Sequence, residues 1–158
     1  MARNFYVIDG CPVPKDVAPY IDLILRRAGL TASSIYRGND PEARAIMHRH
    51  GKHTQYELWN ATPLQRARWG VTGIPNTPGH SAHELASWHV GVDSGPNTDD
   101  TRKRILSAAA HYNLHVHFPY NSVVEYHHWE FLKKPTYDGK RLYKTRVLMT
   151  RAKLALNR

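Results

Sequence analysis

Leu114-His115-Val116-His117-Phe118-Pro119-Tyr120-Asn121-Ser122-Val123-Val124-Glu125-Tyr126-His127-His128-Trp129-Glu130-Phe131 is the stretch whose reading decides the fold. Leu114 to Phe118 reads as a strand, and Pro119-Tyr120-Asn121-Ser122 as a turn. Val123 to Phe131 reads as the returning strand, so the chain closes a hairpin here. Working outward, the segments before it are mostly helical. The expectation is therefore an α+β domain: a small, mainly antiparallel sheet with flanking helices.

Upstream of the hairpin, Thr98-Asp99-Asp100 caps a helix that runs to Tyr112. Acids stand at its start, Ile105, Leu106 and Ala109 form its core face, and Asn113 suits a left-handed exit. Val90-Gly91-Val92-Asp93 is a buried-strand candidate. Gly70 to Gly79, with Pro75 and Pro78, is a loop that delivers a turn over His80–His83. Thr54 to Trp69 reads as helix interrupted near Pro63, and Pro41 to His50 as a helix stopped by Gly51. Ser33 to Arg37 reads as a short strand. A helix from Asp16 to Gly29 carries Val17, Tyr20, Ile21, Ile24 and Leu25 on a broad apolar face. Pro12-Val13-Pro14 is an extended entry to it.

The 158 residues fit one domain able to bury a core. Cys11 is the only cysteine, which excludes an intrachain disulfide and a thiolate zinc cage. No apolar run approaches the roughly 20 residues that span a bilayer. Asp9 interrupts the N-terminus before a signal-peptide core, so synthesis in the cytoplasm without a signal peptide is expected. The net charge of +9 is uneven. From Lys133 onward nine Lys/Arg face one acid, Asp138, whereas residues 1–132 hold thirteen Lys/Arg against twelve acids. A near-neutral domain over 1–132 and a basic tail or linker over 133–158 follow. The tail suits contact with a polyanion, nucleic acid or an anionic wall polymer, or is simply a solvated helix.

Two clusters carry chemistry. Pro78-Gly79-His80-Ser81-Ala82-His83-Glu84-Leu85, running on to His89 and Asp93, sets three imidazoles beside two carboxylates. Glu125-Tyr126-His127-His128-Trp129-Glu130 supplies the second. A hydrolytic zinc site takes three N/O ligands, keeps one position open and needs a carboxylate base nearby. His83-Glu84 does not begin a helical zincin motif, because Ser87 stands where the second histidine is required. His48, His50, His53 and His111 sit at helix ends, where the dipole favours a partly charged imidazole. His115 and His117 share a strand face, a pairing more often packed than metal-bound.

Ser81-x-His83, Gly91-Val92-Asp93 and Glu125-x-x-His128 together resemble the zinc D-Ala-D-Ala carboxypeptidase and L-alanyl-D-glutamate peptidase family. The wording around them is most similar to peptidase domains of endolysins from phages of actinobacteria. The likeness covers about Ser33 to Phe131 and implies a DD-peptidase/hedgehog-like fold. It implies His83, Asp93 and His128 as Zn2+ ligands, Glu125 as general base, Arg37 as the group that polarises the substrate carbonyl, and Ser81 as their support. His83 to Asp93 is longer than the family's usual spacing. A loop insertion accounts for that, loops absorbing length cheaply, and it leaves His80 and His89 as rival first ligands.

The resemblance also implies a substrate, the stem peptide of bacterial peptidoglycan, and a place of action, the cell wall after release from the producing cell. A contact of the basic tail with anionic wall polymer fits that setting, and nucleic acid becomes an unlikely partner. Two other readings compete. A metal-dependent nuclease would use His127-His128 on a hairpin, though a helix bearing a third ligand does not follow. In a non-catalytic, zinc-stabilised wall-binding module the clusters would be structural. Strand alternation would put Glu125 and His128 on opposite faces, so a twist or bulge is expected between them.

Overall fold

The computed structural model describes residues 4–71, 73–120, 125, 127–137 and 141–156. It opens on a hairpin of β1 (Phe5–Ile8) and β2 (Cys11–Pro14). Asp9 and Gly10 form its two-residue turn with φ of 50° and 78°. Paired positive φ values define the turn whose twist matches the flanking strands, and Asp-Gly is a preferred pair for it. The Asp9 carboxylate accepts from Ala32 N at 2.8 Å and from Arg26 Nη2 at 2.7 Å, tying the turn to the next segments. The extended entry at Pro12–Pro14 is thus one arm of a hairpin, its prolines tolerated because the sheet has only two strands.

Helix α1 (Ala18–Ala28) starts two residues beyond Asp16, is entered through Val17 and ends at Gly29. Strand β3 (Ala32–Ser34) lies slightly earlier than expected. Helix α2 (Pro41–Arg49) is capped by Asp40, whose side chain accepts from Glu42 N and Ala43 N. Glu42 in turn accepts from the backbone N–H of Asn4 and Phe5. The helical region after Thr54 divides at Pro63 into α3 (Gln55–Asn60) and α4 (Pro63–Arg68), each with its own threonine capping box. Strand β4 (Val92–Ser94) precedes α5 (Asp99–His111), capped by Thr98 and left through Asn113 at φ 54°.

Strands β5 (Val116–His117) and β6 (His128–Phe131) pair antiparallel, with Val116 opposite Phe131. The expected hairpin therefore forms, with a shorter returning strand. Residues 121–124 and 126, within the expected turn and strand, lie outside the described residues. The second sheet has the order β3-β4-β6-β5, and every neighbouring pair in it is antiparallel. The molecule is α+β, with a small antiparallel sheet and flanking helices.

Alternation along β4 and β6 separates two faces. Val92, Ser94, Trp129 and Phe131 are buried on the core side, where Trp129 Nε1 donates to Ser94 Oγ at 3.0 Å. Asp93, His128 and Glu130 occupy the other face. In the 133–158 segment, expected as a tail or linker, Arg141–Leu156 forms α6, which packs against α1 and β1. Val147 and Leu154 enter the same core as α1, and Lys153 Nζ lies 3.1 Å from Asp22 Oδ2. No helix of the described residues is long and apolar enough to cross a membrane.

Cys11 is 1% exposed, and burial pushes its thiol up to about 11. Since the thiolate is the reacting form, alkylation at pH 8 should be about 10²-fold slower in the native protein than in denaturant, as judged against a free thiol near 8.5. Equal rates by mass spectrometry would contradict the burial of β2.

Candidate metal centre

Pairing of β4 with β6 sets Asp93 opposite His128, and their side chains meet at 2.7 Å, Oδ1 to Nδ1. His83 arrives from a short 3-10 turn, Ala82–Glu84. Its Nε2 lies 3.2 Å from Asp93 Oδ2. His83, Asp93 and His128 thus converge, their ligand atoms all within 4.8 Å of one another. Asp93 alone spans both imidazoles, one oxygen to each.

The supports of this triad are local. Ser81 Oγ accepts from His83 N at 3.2 Å, and Glu84 Oε2 accepts from Ser81 N at 3.1 Å, so a capping box fixes the turn. His83 Nδ1 donates to the Ile35 carbonyl at 2.7 Å, which leaves Nε2 as the free donor of an electron pair. His128 is held the other way round: Glu130 Oε1 takes Nε2 at 3.0 Å and Nδ1 faces Asp93. A ligating histidine typically gives its second ring N–H to a carbonyl or carboxylate, and both rings have that partner. Gly91 lets the His128 ring approach, because a Cβ there would lie 2.7 Å from His128 Cε1. Two imidazoles and one carboxylate fit zinc by donor type.

A cavity of about 590 Å³ opens beside the triad. Arg37, Ser81, Tyr120, Glu125 and His127 line it together with His83, Asp93 and His128. Glu125 reaches it through a turn rather than a bulge, closed by His128 N donating to Glu125 O at 3.1 Å. Arg37 is tethered by its backbone, donating N–H to the His83 carbonyl at 2.6 Å, while its side-chain Nε is buried without a hydrogen-bond partner among the described residues. Burial lowers the Arg37 pKa, and the charges of Asp93 and Glu84 oppose that. The rival ligands fall outside the triad. His80 and His89 are both exposed, and His89 lies against the Trp88 ring at 3.5 Å.

Glu130, beside His128, and Tyr120, on the cavity wall, are not among the expected site residues, and His127 is expected only in the nuclease reading. Glu130 shares a strand face with His128, so period-2 spacing carried its signal. Tyr120, expected only as turn, brings its ring to 4.9 Å from His128. His127 enters as a second imidazole beside Glu125.

Electrostatics polarise the triad. Burial raises the Asp93 pKa, but the His83 charge and hydrogen bonds from both imidazoles hold it well below the usual carboxylate range. Burial lowers His128, yet hydrogen bonds to Asp93 and Glu130 lift it to about 9. Complete burial, aided by Arg37, pushes His83 down. For protein kept in chelator, the raised His128 contributes stability that is full below its unfolded value near 6.5 and lost as pH rises through about 9. The depressed His83 works oppositely, its contribution being lost as pH falls below about 6.5. The metal-free melting temperature should therefore peak near neutrality and fall by several degrees toward pH 9, a loss on the order of 2–3 kcal/mol. A flat profile between those limits would refute the buried ion pair.

Comparison with family models, with curated proteins and with solved structures finds no match.

Proposed function

We propose that this chain is a zinc-dependent peptidase that hydrolyses the stem peptide of bacterial peptidoglycan, with the DD-peptidase/hedgehog-like arrangement and an endolysin role. The observation that carries the reading is the convergence of His83, Asp93 and His128 beside a cavity that Glu125 and Arg37 also line. When bound, zinc supplies Lewis acidity and activates water near neutral pH. The chain's own groups do the rest. Glu125 takes the proton of the attacking water and returns it to the departing amine. Arg37 offers its guanidinium to the negative charge that grows on the carbonyl oxygen. Ile35 O and Glu130 keep the two imidazoles in the tautomers that ligation needs.

The exposed cations of α6, Lys144, Arg146 and Arg151, support an attraction to anionic wall polymer. Action on the wall after release follows from the substrate.

The test is direct. Purified protein incubated with wall preparations should lower their turbidity and release new amino termini. Chelator should stop this, and added zinc should restore it. Activity that persists in chelator would overturn the metal reading, and intact stem peptides by mass analysis would overturn the substrate. Nicking of plasmid with magnesium would instead favour a nuclease.

A further inference from the structure

Asp93 belongs to two groups of potential ligands. The second, Asp93, Glu125 and His127, also offers one atom from each residue within 4.8 Å of the others. All three line the 590 Å³ cavity. His127 Nδ1 is buried with no hydrogen-bond partner among the described residues. A buried imidazole nitrogen left unpaired is costly, and a ligand that engages it relieves that cost.

We propose that Asp93, Glu125 and His127 form a second, weaker site for a divalent cation of the zinc type, and that filling it silences hydrolysis. The proposal rests on the reading of Glu125 as the proton acceptor. Asp93 can serve both sites, because a carboxylate has about four lone-pair positions, and paired-metal centres place their ions about 3.5–4 Å apart. His127 closes the turn and His128 opens β6, so consecutive imidazoles serve neighbouring positions of one cavity. The second site is the weaker for two electrostatic reasons: it shares a ligand with the first, and the Arg37 cation interacts with both Asp93 and Glu125. Its occupation engages the Glu125 carboxylate, which then cannot accept a proton. Excess zinc thus becomes an inhibitor that acts at the same cavity zinc activates.

The experiment titrates the intact protein with zinc alone, reading bound metal by equilibrium dialysis and elemental analysis, and wall hydrolysis in parallel. About two equivalents should bind, in a tight and a weak step. Hydrolysis should appear with the first and fall about 10²-fold or more with the second, the scale of a lost general base. His127→Ala should keep the tight equivalent, lose the weak one and lose the fall in activity at high zinc. His89→Ala, which removes an exposed imidazole outside the cavity, should retain both steps. A weak step absent from the native chain, or present in His127→Ala, would overturn the second site alone. Failure to bind any zinc would overturn both this site and the peptidase reading.

Discussion

Glu125→Gln should retain the tightly bound zinc equivalent and lose hydrolysis of wall peptides by about 10³-fold, within the range for removal of a general acid–base group. Glutamine keeps the size and a polar oxygen but cannot take up a proton at neutral pH. The turn that presents residue 125 depends on its backbone carbonyl, which accepts from His128 N, so the replacement leaves that geometry in place. The measurement is the turnover rate beside metal content and melting temperature. Undiminished turnover with full metal would remove Glu125 from the chemistry. Loss of the tight equivalent would instead make it a ligand of the first site.

Asp93→Asn should have the second large effect, on both metal and stability. The carboxylate lies 2.7 Å from one imidazole and 3.2 Å from another. An amide in its place removes the negative charge that a dication needs and leaves the His128 cation, among the described residues, with Glu130 alone for a charged partner. Breaking a buried ion pair on one side costs about 3–5 kcal/mol. For a chain of this size that corresponds to a drop of roughly 10 °C in melting temperature. Elemental analysis should find the zinc equivalent lost, and wall clearing should stop. A variant that melts like the parent and keeps its metal would refute Asp93 as the shared ligand.

Much of the fold could be read from local chemistry. Thr98, Asp99 and Asn113 bracket α5, Asp40 and Pro41 open α2, and Pro63 divides α3 from α4, each through a cap or break that acts within a few residues. The first hairpin is not legible in the same way: Pro12-Val13-Pro14 reads only as an extended entry, although Asp9-Gly10 carries the turn signal. At the site, the family resemblance carried by Ser81-x-His83, Gly91-Val92-Asp93 and Glu125-x-x-His128 named the candidates. What brings three of them together is long-range: the register that faces Asp93 with His128, and the Ile35 carbonyl that aims His83. His80 and His89 could not be set aside without that packing. The route of Glu125 into the cavity also escaped, since alternation describes strands and residue 125 stands in a turn.

The docking of α6 on α1 bears on where the gene can be cut. Ending the chain near residue 132, where the charge changes, would strip Val147 and Leu154 from their neighbours and leave Asp22 without Lys153. Such a fragment would carry every proposed ligand and still present a raw apolar seam along α1. Fusions meant to redirect the protein therefore belong beyond residue 156, where the helix has already closed that seam.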